Sequence, residues 1–300
     1  SKDPGAFAHN AKYMIELLYD SANDLNGALD TPADLSATVR NDPGHFNGSG
    51  EPARHWDEDE QVSASCSKCH GGEQGFTFYL EYGVGTGVLE QGNGLECGTC
   101  HETFADVADP ADAWSLRQVD EFALQSGEEF SIDADNGSNL CATCHSGRKT
   151  GADVQSRIDS GSLSFQNVHY LPAAGVRLGS DGHLGYEYGI NDYDGAVSGH
   201  LLGDTCVDCH NPVVTEHTFD VNISYEEGEC APCHNAAGSL AGIRMGDHVG
   251  SDYDGDGDEA ETLAGELETM AAALLVAMHD ADGLCYDSHS YPYFYKSGDA

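Results

Sequence analysis

Cysteine pairs separated by two residues and followed at once by histidine occur five times: Cys66, Cys69, His70; Cys97, Cys100, His101; Cys141, Cys144, His145; Cys206, Cys209, His210; and Cys230, Cys233, His234. Cys-x-x-Cys-His is the pattern of covalent c-type haem attachment: two thiols add across the vinyl groups and the adjacent imidazole binds the iron axially. The spacing is mechanical. Two intervening residues let both sulfurs meet one macrocycle while the next side chain presents its ring to the metal. Isolated Cys-x-x-Cys pairs also serve zinc knuckles, disulfides and redox dithiols. Zinc ribbons do not need histidine directly after the second cysteine, and only 15 of 300 residues are histidine. Five pairs out of five carrying it leaves zinc as the minor alternative.

The five motif histidines are the expected proximal ligands, and ten others remain: His9, His45, His55, His169, His183, His200, His217, His248, His279 and His289. Only four methionines compete with them: Met14, Met245, Met270 and Met278. Supply therefore favours imidazole on both faces of each iron, which keeps potentials low and suits electron transfer rather than substrate binding. His45, His55, His169, His200 and His217 are the expected distal ligands, with His9 and His183 next. His45 lies between turn residues. His55 precedes the first motif, His200 and His217 bracket the fourth, and His169 sits in the longest gap. His248, His279 and His289 read as ordinary histidines.

Ten of eleven cysteines belong to the motifs, which leaves Cys285, expected to be a small buried residue. The formal charge of −40, from 52 acidic against 12 basic residues, excludes a nucleic-acid partner, since phosphate neutralisation requires lysine and arginine. A strongly acidic, solvated surface suits salty or extracellular conditions, or a basic partner. No segment approaches eighteen consecutive apolar residues, so no membrane span is expected. Haem ligation to cysteine follows export, so the expected location is extracellular or at the cell surface, with the periplasm as the alternative. Ser1 opens a polar stretch of the kind a processed chain shows.

Haem macrocycles are expected to form the core, wrapped in an irregular fold of loops, short α-helices and few short strands. Residues 1–300 read as one multihaem unit. It comprises an N-terminal helix at 1–25 that could dock on a neighbouring subunit, a haem-binding region at 26–240, and an acidic loop with a C-terminal helix at 241–300. Asp3 and Pro4 cap the first helix, over 4–20, with Phe7, Ala11, Met14, Ile15 and Leu18 at helical spacing. Residues 26–62 are turn-rich. The aromatic stretch Phe76, Phe78, Tyr79 and Tyr82 suits a short strand or haem-edge packing, and a hairpin is expected around Tyr186–Tyr193. Asp258 should cap a helix from Glu259 to about Met278, with Leu263, Leu267, Met270, Leu274 and Met278 as its stripe. Trp56, Tyr79 and Tyr170 are expected against haem faces. Motifs close in sequence should be close in space.

Asp252, Asp254, Asp256, Gly257 and Asp258 resemble the first half of an EF-hand loop, a possible Ca²⁺ site. The twelfth-position glutamate is absent, Leu263 standing there, so Glu261 or Glu266 would have to substitute. An acidic loop capping the helix is the plain alternative.

With these motifs the chain resembles multihaem c-type cytochromes of respiratory electron export, in particular extracellular ones whose subunits polymerise into haem-lined filaments. DPGAFAHNAKY, GHFNG…RHWDEDE…SCSKCH and CYDSHSYPYF also resemble a multihaem group in which the first of these lies downstream of the last. Here it opens the chain, as in a processed piece or one unit of a longer array. The resemblance implies five haem c, partners that are other cytochromes or identical subunits, an envelope electron donor and an extracellular acceptor. In filament-forming relatives a neighbouring subunit can supply a distal histidine, for which His9 is the candidate. Pentahaem nitrite reductases also carry five haems, but their catalytic motif ends in lysine. All five motifs here end in histidine, and a −40 chain is a poor funnel for an anionic substrate. A third reading makes haem a purely structural staple.

Overall fold

Glycine, turn residues and short apolar runs break this chain into many small elements and two long helices. The computed structural model describes residues 6–29, 31–35, 38, 56, 61–87, 89–90, 95–124, 126–132, 137–162, 164–169, 171–197, 205–228, 230–234, 237–243, 252–288 and 291–296, with the backbone alone at 6–13, 90 and 231. Among these residues lie eleven α-helices, three single-turn 3-10 helices and six short strands, joined by irregular segments. The chain divides into two compact units, Ser1–Val119 and Asp120–Ala300.

In the first unit, α1 spans Ala6–Asn26, six residues beyond the expected end. Its exit is pinned by Asn26, whose Oδ1 accepts from the Ala33 amide at 2.8 Å while Nδ2 donates to the Ala33 carbonyl at 2.9 Å. Ile15, Leu17, Leu18 and Leu25 are exposed. The expected cap, Asp3 and Pro4, lies outside the described residues, as does most of 26–62.

The first motif opens α2 (Ser67–His70), and α3 (Gly72–Tyr82) follows at once. The aromatic stretch expected as a strand is therefore helical: Phe76 and Tyr79 recur three apart, and Phe76 is buried at 2% exposure. A Cβ at Gly75 would run into the Ser67 carbonyl, so glycine permits the tight α2–α3 corner. Strand β1 (Gln61–Val62) pairs antiparallel with β2 (Leu89–Glu90), and the second motif forms α4 (Cys97–Cys100).

The second unit begins with a hairpin of β3 (Phe122–Ala123) and β4 (Glu129–Phe130). It packs on α5 (Ser138–His145) and α7 (Ala173–Leu178), burying Phe122, Leu124, Ala142, Ala174 and Leu178 beside Phe130 and Ile132. Asn139, fully buried, joins helix to hairpin: Nδ2 donates to the Asp120 carbonyl at 2.6 Å, and Oδ1 accepts from the Ile132 amide at 2.8 Å. Helix α6 (Gly151–Ser160) is opened by a Thr150–Asp153 capping box and closed by Gly161 at φ 66°. Then come α8 (Cys206–Cys209), α9 (Val221–Glu226) and α10 (Ala231–His234). Finally α11 (Leu263–Asp282) leads into β5 (Leu284–Tyr286), paired antiparallel with β6 (Phe294–Lys296).

Three local expectations are corrected. Thr262, not Asp258, caps the last helix: its Oγ1 accepts from the Gly265 amide at 3.1 Å, and the helix starts four residues later than expected. Its apolar stripe is not packed, since Leu267, Met270 and Leu274 are 61%, 47% and 61% exposed. The segment 186–193 turns without strand pairing, the Asn191 amide donating to the Tyr188 carbonyl at 2.9 Å.

Candidate haem sites

Each Cys-x-x-Cys-His segment folds as a single helical turn, or, in the third motif, as the end of α5. The histidine amide donates to the carbonyl of the first cysteine in four of them, at 3.0 Å for His70, 2.9 Å for His101, 2.9 Å for His210 and 3.0 Å for His234. This turn places both sulfurs and the imidazole on one side of the segment. None of the eleven cysteines is in a disulfide.

Three of the motif histidines are held by the same device. Nδ1 of His101 lies 2.9 Å from the Trp114 carbonyl, Nδ1 of His145 3.0 Å from that of Leu171, and Nδ1 of His210 2.6 Å from that of Phe219. A carbonyl oxygen can only accept, so each Nδ1 carries the proton and Nε2 keeps its lone pair for a metal. The three acceptors share a further property: Trp114, Leu171 and Phe219 stand at φ 70°, 50° and 57°. Bulky residues rarely adopt this left-handed backbone, and here it turns a carbonyl back toward a histidine 9 to 26 residues earlier.

The second motif is further clamped by residues 114–117, which run antiparallel to 100–102. The Trp114 amide donates to the Glu102 carbonyl at 2.6 Å, and the Arg117 amide to the Cys100 carbonyl at 2.8 Å. Arg117, 5% exposed, donates from Nε to the Gly98 carbonyl inside the motif. Its guanidinium also pairs with Glu102 at 3.0 Å and Asp106 at 2.9 Å. Hydrogen bonds from the Thr103 amide and hydroxyl, followed by Arg117, hold the Asp106 carboxyl below its ordinary range. At the first motif, the Trp56 ring lies 4.9 Å from that of His70.

In the second unit the third and fourth motifs meet. The Cys206 amide donates to Ser138 Oγ at 3.0 Å. The Cys141 side chain first, then Ser138, bring the Cys206 thiol down to about 6. Burial, then the Cys230 charge, push Cys209 up. These titrations belong to the chain before attachment, since a thioether has no proton to lose.

Of the expected distal ligands, His45, His55 and His200 lie outside the described residues, as does the His9 side chain, and as do His248, His289 and Tyr170. His169 and His217 are described, at φ 76° and 63°, and His183 stands at φ 45°. Burial, then Arg148, hold His169 below the ordinary imidazole range. Nδ1 of His183 lies 3.0 Å from Glu187 Oε2, which leaves Nε2 of a 62% exposed ring outward. Cys285 is exposed rather than buried, its Sγ 3.8 Å from His279 Nδ1.

Similarity to known proteins completes the picture. The chain is 29% identical over 185 residues to the C-type polyheme cytochrome OmcB of Geobacter sulfurreducens, covering 55% of this chain and 22% of that one. It is 25% identical over 348 residues to the C-type polyheme cytochrome OmcC of the same organism, covering 99% of this chain and 41% of that one. The chain is homologous to polyhaem c-type cytochromes. It spans well under half the length of these curated relatives. No family model and no solved structure matches it.

The homology makes haem c the cofactor class, and the motif geometry fits that group: paired free thiols beside an imidazole whose Nδ1 is already committed. Sequence reading missed Trp114, Leu171 and Phe219 as ring-orienting residues, because their contribution is a backbone carbonyl that no side chain announces.

The acidic loop converges in part. Asp252, Asp254 and Glu266 offer oxygens within 4.8 Å of one another, as do Asp254, Asp256 and Glu261. Glu266 is fully buried, and its Oε2 accepts from the Tyr253 amide at 2.7 Å and the Asp254 amide at 3.1 Å. Asp258 belongs to neither group; its Oδ1 accepts from the Ala260 amide at 2.9 Å. Among the described residues, no helix is long and apolar enough to cross a membrane.

Proposed function

We propose that this chain is an electron-transfer cytochrome segment of the cell exterior, carrying five haem c groups with imidazole on both faces of each iron. The observation that carries the reading is the shared setting of His101, His145 and His210: each donates from Nδ1 to a backbone carbonyl and keeps Nε2 for iron. Haem supplies the one-electron carrier. The chain's own residues tether it through the ten motif cysteines, orient the proximal rings and close the distal positions. His70 and His234 would serve as the remaining proximal ligands.

His169 and His217 are the described distal candidates, joined by His183. All three occupy left-handed backbone, which is retained where the surroundings over-determine it and which clusters at functional sites. His45, His55 and His200 complete the proposed set, with His9 as a ligand given to a neighbouring subunit. The sparse apolar core agrees with macrocycles as packing partners: among the described residues only nine hydrophobic side chains are buried, while Trp114, Leu171 and many others are exposed.

Covalent attachment follows export, so the proposed location is the cell surface or beyond it, with an envelope donor, an extracellular acceptor and identical subunits as partners. A filament is the proposed assembly, supported by the uncovered apolar face of α11 and tested by cryo-EM of native material. A periodic repeat is expected, and discrete particles would favour a soluble shuttle. Ca²⁺ is proposed for Asp252, Asp254, Asp256, Glu261 and Glu266, where a buried Asp254 Oδ2 has no hydrogen-bond partner.

The ferric spectrum tests the reading. Low-spin signals alone, and ferrous protein inert to carbon monoxide, are expected. High-spin haem or nitrite turnover would make it an enzyme. His217→Ala should open one iron and add a high-spin signal.

A further inference from the structure

The third and fourth motifs are the most widely separated consecutive pair in the sequence, their first cysteines 65 positions apart. Proximity along the chain would therefore place these two stations farthest apart. The fold brings them together. Ser138, with no exposed surface, stands at the start of α5, and its hydroxyl accepts from the Cys206 amide across 68 residues. One helical turn further on stands Cys141, the first cysteine of the third motif. Asn139 holds the same turn against the β3–β4 hairpin, so the platform under Ser138 is fixed from the other side.

We propose that Ser138 is a positioning residue that seats the fourth motif on the third, so that the two haems these motifs would carry stand as neighbours and exchange electrons directly. This rests on the proposed haem-bearing role of both motifs. The exchange is a one-electron step in which one iron is oxidised as its neighbour is reduced, so no outside reactant is needed. Two features argue for positioning rather than chance packing. A buried hydroxyl spent on one amide at the first position of an attachment turn fixes that turn's location. The bond also spans 68 residues to join the first turn of α5, which carries the third motif, to the opening residue of the fourth.

The test uses the full haem-loaded chain. Ser138→Ala and Ser138→Thr are compared with the parent by intact mass and by potentiometric titration resolved by NMR. These report how reduction of one haem shifts the potential of its neighbour and how fast the pair exchanges electrons. With haem content unchanged, Ser138→Ala should slow exchange between the third and fourth stations several-fold and weaken their mutual shift. Ser138→Thr, which keeps the hydroxyl, should restore both. A fully loaded Ser138→Ala chain with unaltered coupling overturns this proposal and leaves the electron-transfer reading intact. A parent chain lacking haem at either motif overturns both. If Ser138→Ala does not load, a cryo-EM map of the parent decides: a Ser138 hydroxyl on the Cys206 amide supports the proposal, and a separated pair refutes it.

Discussion

His210 donates from Nδ1 to the carbonyl of Phe219 at 2.6 Å, and Phe219 reaches that position only by standing at φ 57°. The pair shows in miniature how this chain prepares a ligand. An imidazole with its Nδ1 proton committed is a fixed tautomer with one lone pair, aimed by a backbone that tolerates strain to aim it.

Phe219 gives the first prediction. Glycine adopts left-handed backbone without penalty, whereas a β-branched residue resists it. Phe219→Val should lie about 1–2 kcal/mol below Phe219→Gly in stability, by urea titration of the loaded chain. The valine variant alone should also shift the potential of the fourth haem, because its carbonyl no longer meets His210.

Arg117 gives the second. Its guanidinium holds Glu102 and Asp106 together and bonds the Gly98 carbonyl within the second motif. Arg117→Met strands two carboxylates beside each other and should cost on the order of 2–3 kcal/mol, discounted because both carboxylates keep some solvent contact. Arg117→Met combined with Glu102→Gln should recover part of that loss. Equal stability of Arg117→Met and the parent would show the clamp to be idle.

Asp106 sets the third, an acid limb. Its folded pKa is depressed, by the Thr103 amide and hydroxyl first and then by Arg117. A depressed carboxyl contributes stability that is complete above its unfolded value, about 3.9, and is lost as pH falls below that toward the folded value. The chain should therefore loosen at the second motif below about pH 4. Asp106→Asn should flatten that limb in a stability titration, and an unchanged limb would assign acid sensitivity elsewhere.

Glu261 provides the fourth. Burial, then the neighbouring charges of Asp254, Asp256, Glu266 and Asp258, raise its folded pKa. A raised carboxyl makes the fold less stable as pH rises through that window, because ionisation adds charge to a crowded loop. A divalent cation should reverse the effect. Ca²⁺ is expected to raise the melting temperature at neutral pH, and chelator to lower it. Glu266→Gln should abolish the difference, and indifference to chelator would dispose of the site.

Much of the site was legible because cysteine spacing is covalent bookkeeping: Cys66, Cys69 and His70 announce their chemistry without any fold. The partners of those rings were not. Trp114, Leu171 and Phe219 act through carbonyls, and whether a carbonyl turns back depends on φ, which a bulky side chain does not reveal. Phe76–Tyr82 misled in the other direction, since two of its aromatics alternate as in a strand while the whole run also meets a helical period. Thr262 and Asp258 both carry capping chemistry, and only the packing of the buried Glu266 under the loop selects the later start. Nothing in the spacing of the third and fourth motifs disclosed that Ser138 bonds the Cys206 amide, because a 65-residue excursion can return anywhere.

Intact mass spectrometry of the purified chain under denaturing conditions tests the account most directly, because thioether bonds survive unfolding while coordinated metals do not. A mass exceeding the polypeptide by five haems is expected, falling to four when Cys66 and Cys69 are both replaced. The bare polypeptide mass, or any count of haems other than five, would contradict it.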